Sequence, residues 1–282
     1  MLTLRAPGIN CDEETAFAWQ QAGGLPERVH VNRLCENPRM LDAFQMLAIP
    51  GGFSYGDDIA SGKILANQLA QRLGDALSRF VDRGGLIAGI CNGFQVLVRL
   101  GLLPGGDCGV DVTLALNESG RYEDRWVVLR GETDRCPFLE RGAEYYLPVA
   151  HGEGRIATAN GLQDAAKLAD AGRVALRYVT KSSAGSDTAV ASPPFEKKER
   201  AAKPLLTEQW HTRREFPANP NGSIDNIAGL IDSTGRVFGL MPHPERCMFA
   251  TQVPAGLGGL SVENAVEPDG LRMFRSAVAW LK

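Results

Sequence analysis

Along the first part of the chain, short apolar runs alternate with longer stretches in which apolar residues recur at helical spacing. This alternation is typical of a parallel sheet covered by helices. The predicted strands comprise residues 2–5, 28–31, 46–49 and 86–90. The predicted helices comprise residues 13–22, 64–81 and 93–100. Asn10 or Asp12 is expected to cap the first helix. The fourth strand is apolar throughout, as a buried central strand requires.

The remainder of the chain has a different pattern, in which apolar and polar residues alternate as in antiparallel strands. The predicted strands there comprise residues 112–116, 125–129, 146–150, 174–179, 227–231 and 237–241. A closing helix is predicted over residues 271–281. Residues 181–217 are rich in Ser, Pro, Lys and Glu and have few apolar side chains to bury, so they are predicted to form a surface insertion.

Together these elements predict an α/β fold. We expect an open, mostly parallel, flavodoxin-like sheet with helices on both faces and an added antiparallel portion. The chain has 282 residues, of which 44% are hydrophobic and 22% charged. This length and composition suffice for one large core but are tight for two full domains. Residues 1–282 are therefore expected to form a single domain that carries the insertion.

Charge and cysteine content narrow the classes of function. The formal net charge of -3 provides no basic field to hold a phosphate backbone, so nucleic acid is not an expected partner. No apolar run reaches the roughly 18 residues that a membrane span requires, and no secretory segment is expected. The six cysteines are scattered without a CxxC pair, which favours free thiols in a reducing cytoplasm and no metal site.

The segment Gly89-Ile90-Cys91-Asn92-Gly93 fits the pattern of a nucleophile elbow, with a thiol in place of the usual serine. A sharp turn from a buried strand into a helix strains the backbone at the nucleophile, and small neighbours let the chain pass close by. The helix N-terminus supplies partial positive charge and free N–H groups, which favour a thiolate. Cys91 is thus the candidate nucleophile, although most free cysteines are simply small core residues.

A cysteine nucleophile needs a base, and two histidines are candidates. His151 and His243 each have a glutamate two residues later, Glu153 and Glu245, and in extended backbone these side chains face the same side. The spacing alone does not decide which of the two histidines is the base. Prolines on either side of His243 fix two φ angles directly after an apolar strand, and this rigidity favours His243 as the base.

The segment that begins at Pro50-Gly51-Gly52 follows the third strand. It lacks the Lys-Ser/Thr pair that a phosphate-binding P-loop requires. A glycine pair at the carboxyl end of a strand beside the elbow can instead offer a backbone N–H to an oxyanion. We therefore expect a backbone N–H of this glycine pair, together with the N–H of Asn92, to form an oxyanion hole.

Several segments together resemble the glutaminase subunits of phosphoribosylformylglycinamidine synthase, a family of triad-type (class I) glutamine amidotransferases. Those segments are RAPGINCD at 5–12, PGGFSYGD at 50–57, GICNGFQ at 89–95, HGEG at 151–154, NPNGS at 219–223 and MPHPER at 241–246. The Gly-x-Cys-x-Gly-x-Gln pattern marks the whole superfamily, whereas the first two segments are particular to the purine enzyme. The chain departs from the family at Ile9, where Thr is commoner, and in the length of residues 180–217.

The resemblance implies the class I glutamine amidotransferase fold and a catalytic triad of Cys91, His243 and Glu245. It also implies that Gly52 and Asn92 are the oxyanion donors, and that Gln95 and the His151-Gly152 segment line a glutamine pocket. Such a chain has no cofactor of its own, because ATP and Mg are used by a separate synthetase subunit that receives the ammonia.

Some alternatives stay open at this point. The sequence does not decide whether a small third subunit joins the complex. A glutaminase serving another synthetase is the alternative within enzymes. A non-enzymatic redox or binding module built on Cys91 is the alternative from another class.

Overall fold

The computed structural model describes residues 1–180, 216–254 and 267–282. Its α-helices are α1 (Asp12–Gln21), α2 (Val31–Glu36), α3 (Lys63–Asp82), α4 (Asn92–Arg99), α5 (Leu162–Asp170) and α6 (Asp269–Trp280). Its strands are β1 (Leu2–Arg5), β2 (Glu27–His30), β3 (Met46–Ile49), β4 (Leu86–Ile90), β5 (Val112–Leu116), β6 (Glu123–Gly131), β7 (Glu144–His151), β8 (Glu153–Thr158), β9 (Val174–Val179), β10 (Ile227–Ile231) and β11 (Val237–Leu240).

Within the described residues, a nine-stranded sheet runs in the order β2-β1-β3-β4-β11-β10-β9-β6-β7. The first five strands pair in parallel, and the last four add on in antiparallel fashion. A separate antiparallel pair joins β5 to β8. The predicted fold, a parallel sheet with an added antiparallel portion, is confirmed.

The order of the parallel strands determines where a site can form. From β1 the chain moves outward to β2, and from β3 it moves the other way to β4. Because such crossovers are right-handed, α1 and α3 cover opposite faces of the sheet. The carboxyl ends of β1, β3, β4 and β11 then share one edge, at the point where the strand order reverses. Ligands of open α/β sheets bind at this edge.

Helix α3 shows how the sequence pattern produces the packing. Its apolar residues recur every three or four positions and are buried, and they are Leu65, Leu69, Leu73, Leu77 and Phe80. On the other face, α1 and α6 meet through Trp19 and Phe274, whose rings lie edge to face with centroids 4.5 Å apart. Both sides of the parallel strands are thus covered by helices.

Some predicted boundaries were wrong for local reasons. Val31 begins α2 instead of ending β2, because Nδ1 of His30 accepts a hydrogen bond from the Asn32 N–H (3.2 Å) and so caps a helix there. Cys11, not Asn10 or Asp12, occupies the N-cap of α1. Strand β8 and helices α2 and α5 were not predicted.

The predicted surface insertion falls almost entirely outside the described residues. Only residues 216 and 217 of it are described, so the single domain with an insertion stays a prediction. Within the described ranges, no helix is both long and apolar enough to cross a membrane.

Candidate active site

Cys91 stands at the turn between β4 and α4, as the elbow pattern predicts. Its backbone has φ 52° and ψ -105°, a strained conformation for a residue with a Cβ. A Cβ on Gly93 would overlap the carbonyl oxygen of Ile49, and one on Gly89 would lie 2.6 Å from the Gly93 carbonyl oxygen. Both glycines are therefore required for the turn. The Cys91 thiol is nearly buried and faces the Ala150 carbonyl oxygen at 3.8 Å.

His243 follows β11 and is held on both sides. Its backbone N–H donates to the Pro148 carbonyl oxygen (2.8 Å), and its Nδ1 lies 2.6 Å from Oε1 of Glu245. Both side chains are buried. Burial alone would lower the pKa of His243, but the charges of Glu245 and Cys91 outweigh it and raise that pKa well above its usual value. The histidine–carboxylate pair expected from the i, i+2 spacing is therefore present here.

His151 has a different partner from the one that spacing suggested. Its Nδ1 lies 3.1 Å from Oδ1 of Asn117, not against Glu153. That same oxygen accepts the Gly154 N–H, while Nδ2 of Asn117 donates to the carbonyl oxygens of Arg121 and His151. The Nδ1 of His151 must then carry the hydrogen. Burial, helped by the nearby charge of His243, lowers the pKa of His151 to about 3, so the ring is neutral.

This neutral histidine predicts a pH dependence of stability. Because the folded pKa of about 3 lies below the unfolded value of about 6.5, the unfolded chain binds the extra proton between these values. Above about pH 6.5 the ring is neutral in both states, and His151 does not lower the stability. As the pH falls from there toward 3, His151 lowers the free energy of unfolding by up to about 1.4 kcal/mol per pH unit.

In urea unfolding from pH 7 to pH 4, His151→Gln should therefore flatten the decline in the free energy of unfolding. The matched control is the exposed His30→Asn, which should follow the original protein. Equal slopes for His151→Gln and the original protein would contradict the assignment.

Gly52 and Asn92 are the two predicted oxyanion donors. Gly52 has φ 137°, and a Cβ there would stand 2.7 Å from both the Gly8 carbonyl oxygen and the Asn10 nitrogen, so only glycine fits. Asn92 is the first residue of α4, where backbone N–H groups have no partner within the helix. Gly52 thus lines the same pocket as Cys91, and Asn92 follows Cys91 directly in the chain.

The side chain of Asn92 ties three segments together. Its Oδ1 accepts the Ser54 N–H (3.2 Å), and its Nδ2 donates to Oδ1 of Asp57 (3.1 Å) and to Oε1 of Gln95 (2.9 Å). Gln95 in turn donates to the Glu153 carbonyl oxygen. This network fixes the loop after β3, the elbow helix and the turn after β7 relative to one another.

A pocket of about 100 Å³ opens at this edge of the sheet. Of the residues predicted from sequence, its walls include Gly52, Cys91, Gln95, His151, Gly152 and His243. Asn92 and Glu245 lie immediately behind Cys91 and His243. The structure thus brings all the predicted site residues together.

Comparison with known proteins agrees with this geometry. The family model described as the CobB/CobQ-like glutamine amidotransferase domain matches residues 1–194 and 194–281. The phosphoribosylformylglycinamidine synthase subunit PurQ of Dehalococcoides mccartyi is 39% identical, over 100% of this chain and 97% of that protein. The PurQ subunit of Methanococcus maripaludis is 35% identical, over 99% and 96%. This chain belongs to the PurQ family.

A solved structure supports the same conclusion. A chain in the structure of PurLQS from Thermotoga maritima superposes with a TM-score of 0.66 at 29% identity, covering 100% of this chain and 98% of that one. The class I glutamine amidotransferase fold of this PurQ-family chain is confirmed, and it is the glutaminase subunit type that the sequence resembled.

Three features of this PurQ-family site were not assigned from sequence. Asn117, which orients His151, lies in a turn with no motif to mark it. Cys11 borders the pocket and accepts a hydrogen bond from Nη2 of Arg246 (3.2 Å). Arg246 also pairs with Glu14 (3.0 Å). Cys11 and Arg246 lie within segments that carry the resemblance, but only the fold shows that they touch.

Proposed function

We propose that this chain is the glutaminase subunit of phosphoribosylformylglycinamidine synthase. It hydrolyses glutamine to glutamate and ammonia and delivers the ammonia to a synthetase subunit. That partner converts formylglycinamide ribonucleotide to the amidine with ATP and Mg, a step of purine biosynthesis in the cytoplasm. The observation that carries the proposal is the PurQ-like chain length and sequence combined with a buried His243–Glu245 pair beside the strained Cys91.

The first chemical step is attack of the Cys91 sulfur on the side-chain amide carbon of glutamine. The raised pKa of His243 suits the imidazole to take the thiol proton as the sulfur attacks. Glu245 keeps the ring oriented through Nδ1, so that Nε2 is left to exchange the proton. The helix N-terminus at Asn92 adds partial positive charge beside the thiolate.

The tetrahedral intermediate carries negative charge on the former amide oxygen. The N–H groups of Gly52 and Asn92 stabilise this charge, and they act best in a site from which water is excluded. His243 then gives its proton to the departing nitrogen, the C–N bond breaks, and ammonia leaves behind a glutamyl thioester. Water attacks the thioester with His243 taking its proton, which releases glutamate and restores the thiol.

Gln95, His151 and Gly152 hold the substrate. The neutral His151 offers the lone pair of Nε2, which is buried and has no hydrogen-bond partner among the described residues. Such an orphan acceptor is costly unless a ligand donates to it, and glutamine supplies N–H donors. Gln95 is held in place by Asn92 and the Glu153 carbonyl oxygen, so its orientation is fixed before substrate binds.

The remaining chemistry belongs to the partners. In this division of labour the chain needs no cofactor and no metal for glutamine hydrolysis, while ATP and Mg act on the synthetase. The relatives named PurQ and the PurLQS assembly support a synthetase partner and a small third subunit.

The proposal is tested by assaying glutamate release from glutamine by this chain alone, by the synthetase alone, and by the two together with and without nucleotides. Glutaminase activity is expected to depend on this chain and to increase in the complex. A rate that the synthetase leaves unchanged under every condition would contradict the subunit assignment.

A further inference from the structure

Residues 8–11, here called the 8–11 segment, run antiparallel to the glycine pair that follows β3. The N–H of Cys11 donates to the carbonyl oxygen of Gly51 (3.3 Å). The N–H of Phe53 donates to the carbonyl oxygen of Gly8 (2.9 Å). The peptide groups before and after the second glycine of the pair are therefore both held by this segment. No step of the glutamine chemistry proposed above uses the 8–11 segment.

The bond to the Gly51 carbonyl sets the direction of the Gly52 N–H. The peptide between the two glycines is trans, so its carbonyl oxygen and its N–H point in opposite directions. The carbonyl points to the 8–11 segment, which continues from β1, and the N–H therefore points away from it. Because β3 lies between β1 and β4, that other side is the side of Cys91, which lines the same pocket as Gly52. Among the described residues the Gly52 N–H has no hydrogen-bond partner, so it is free to bind an oxyanion.

The glycine pair does not fix this orientation by itself. Residues without a Cβ have wide conformational freedom, so a peptide between two glycines can turn over at little cost. Turned over, it would present the Gly51 carbonyl oxygen to the reaction in place of the Gly52 N–H. The partial negative charge of that oxygen would repel the oxyanion instead of stabilising it. The productive orientation must therefore be imposed by contacts with another part of the chain.

The 8–11 segment is itself anchored at its Cys11 end. Cys11 is the buried N-cap residue of α1, and its carbonyl oxygen accepts the Thr15 N–H (3.0 Å). Nη2 of Arg246 donates to Sγ of Cys11 (3.2 Å). Arg246 lies three residues after His243, so the segment contacts both the glycine pair and the turn that carries the base. Its position is thus fixed by contacts other than those with the glycine pair.

Gly8 permits the close approach of the two segments. Its φ is 82°, and a Cβ at this position would stand 2.0 Å from the carbonyl oxygen of Phe53. A side chain there would push the 8–11 segment and residues 51–53 apart and weaken the bonds between them. Gly23 has a similar φ of 86°, but a Cβ there would have no atom of the described residues within 4 Å. Substitution strains the backbone equally at both glycines, and only Gly8 adds the clash.

We propose that the 8–11 segment positions the oxyanion hole, because its hydrogen bonds to the glycine pair hold the Gly52 N–H toward the carbonyl oxygen of the substrate. Cys11 is the main positioning residue, and it acts through its backbone N–H, not through its thiol. The proposal rests on the proposed function, since it concerns a donor of that reaction. Because the donor acts on charge that develops in the transition state, its loss should lower kcat and change KM little.

The test is steady-state kinetics of glutamine hydrolysis by the reconstituted complex. Gly8→Ala should lower kcat by about 100-fold, the lower end of the usual cost of losing an oxyanion donor, with KM nearly unchanged. The matched control is Gly23→Ala, which has the same backbone strain without the clash and should keep the kcat of the original complex.

A second pair of variants acts on the other hydrogen bond. Cys11→Pro removes the N–H that donates to Gly51 and should also lower kcat by about 100-fold. Cys11→Ala removes the thiol but keeps the N–H, so its kcat should exceed that of Cys11→Pro by at least about 10-fold. If Gly8→Ala does not fold, this pair decides the outcome.

Alkylation by iodoacetamide separates a misplaced oxyanion donor from a damaged nucleophile. The Cys91 sulfur forms a bond to the methylene carbon as iodide leaves, and the thiol proton passes to solvent. This displacement forms no oxyanion, so it does not need the Gly52 N–H. Mass mapping should therefore show Cys91 alkylated in Gly8→Ala and Cys11→Pro at close to the original rate. Loss of alkylation together with kcat would show that the elbow itself is damaged and would overturn the proposal.

The kinetic result also separates this proposal from the proposed function. If Gly8→Ala and Cys11→Pro keep the kcat of their matched variants, the positioning role is wrong and the proposed function stands. If the original complex itself releases no glutamate from glutamine, the proposed function is refuted, and the positioning role is refuted with it.

Discussion

Alanine at His243 is expected to lower glutamine hydrolysis by roughly three orders of magnitude, whereas alanine at His151 should leave most of the turnover in place. His243 has the buried carboxylate partner, at 2.6 Å, that a base needs to stabilise its protonated form. His151 has an amide partner instead, and its low pKa keeps it neutral. A ring that does not accept a proton near pH 7 cannot serve as the base.

The two variants should change different kinetic constants, as well as reduce activity by different amounts. His243→Ala should lower kcat, because proton transfer is lost, and His151→Ala should chiefly raise KM, because a contact to bound glutamine is lost. Asn117→Ala removes the group that orients that ring, so it should change the same constant as His151→Ala. Steady-state kinetics of the complex with glutamine gives both constants. A large fall in kcat for His151→Ala with near-normal turnover for His243→Ala would reverse the assignment of the base.

The elbow turn and the His243–Glu245 pair were predictable from sequence because their geometry is local. The small residues around Cys91 indicate a turn, because larger side chains would not fit there. The spacing of His243 and Glu245 places both side chains on one side of an extended segment. Such signals need no knowledge of the rest of the fold. The alternation of apolar runs likewise predicted the parallel strands and their covering helices.

Contacts between distant segments were not predictable in this way. The same i, i+2 spacing occurs at His151 and Glu153, yet the structure pairs His151 with Asn117 from another strand connection. Cys11 reaches Arg246 only because the carboxyl ends of β1 and β11 share one edge of the sheet.

The missed elements have a related explanation. Strand β8 follows β7 after a single residue, Gly152, and pairs with β5, so the turn that separates the two strands leaves little signal in the sequence. Helix α2 has only six residues and begins through the His30 cap. Short elements of this kind depend on tertiary contacts more than on their own periodicity.

The second large effect is expected from Cys91→Ala. This change removes the nucleophile, and loss of a covalent catalyst that works as one unit with its base commonly costs roughly 10³-fold or more. The small alanine leaves the elbow turn intact, because Gly89 and Gly93 and not the thiol permit that turn. The synthetase should be unaffected, since all ATP chemistry is assigned to it. Ammonium salt at high pH supplies free ammonia and so bypasses the glutaminase altogether.

The most direct test of the account is therefore a single comparison on the reconstituted Cys91→Ala complex, in which amidine formation is measured with glutamine and then with ammonium salt as the nitrogen source. Cys35→Ala serves as the matched thiol control and should behave like the original complex with both. The account predicts that the Cys91 variant makes product at background rate from glutamine and at a near-normal rate from ammonia. Persistent glutamine-dependent synthesis would contradict the claim that glutamine is hydrolysed at Cys91. Failure of ammonium salt to support product formation would contradict the claim that the ammonia is used elsewhere.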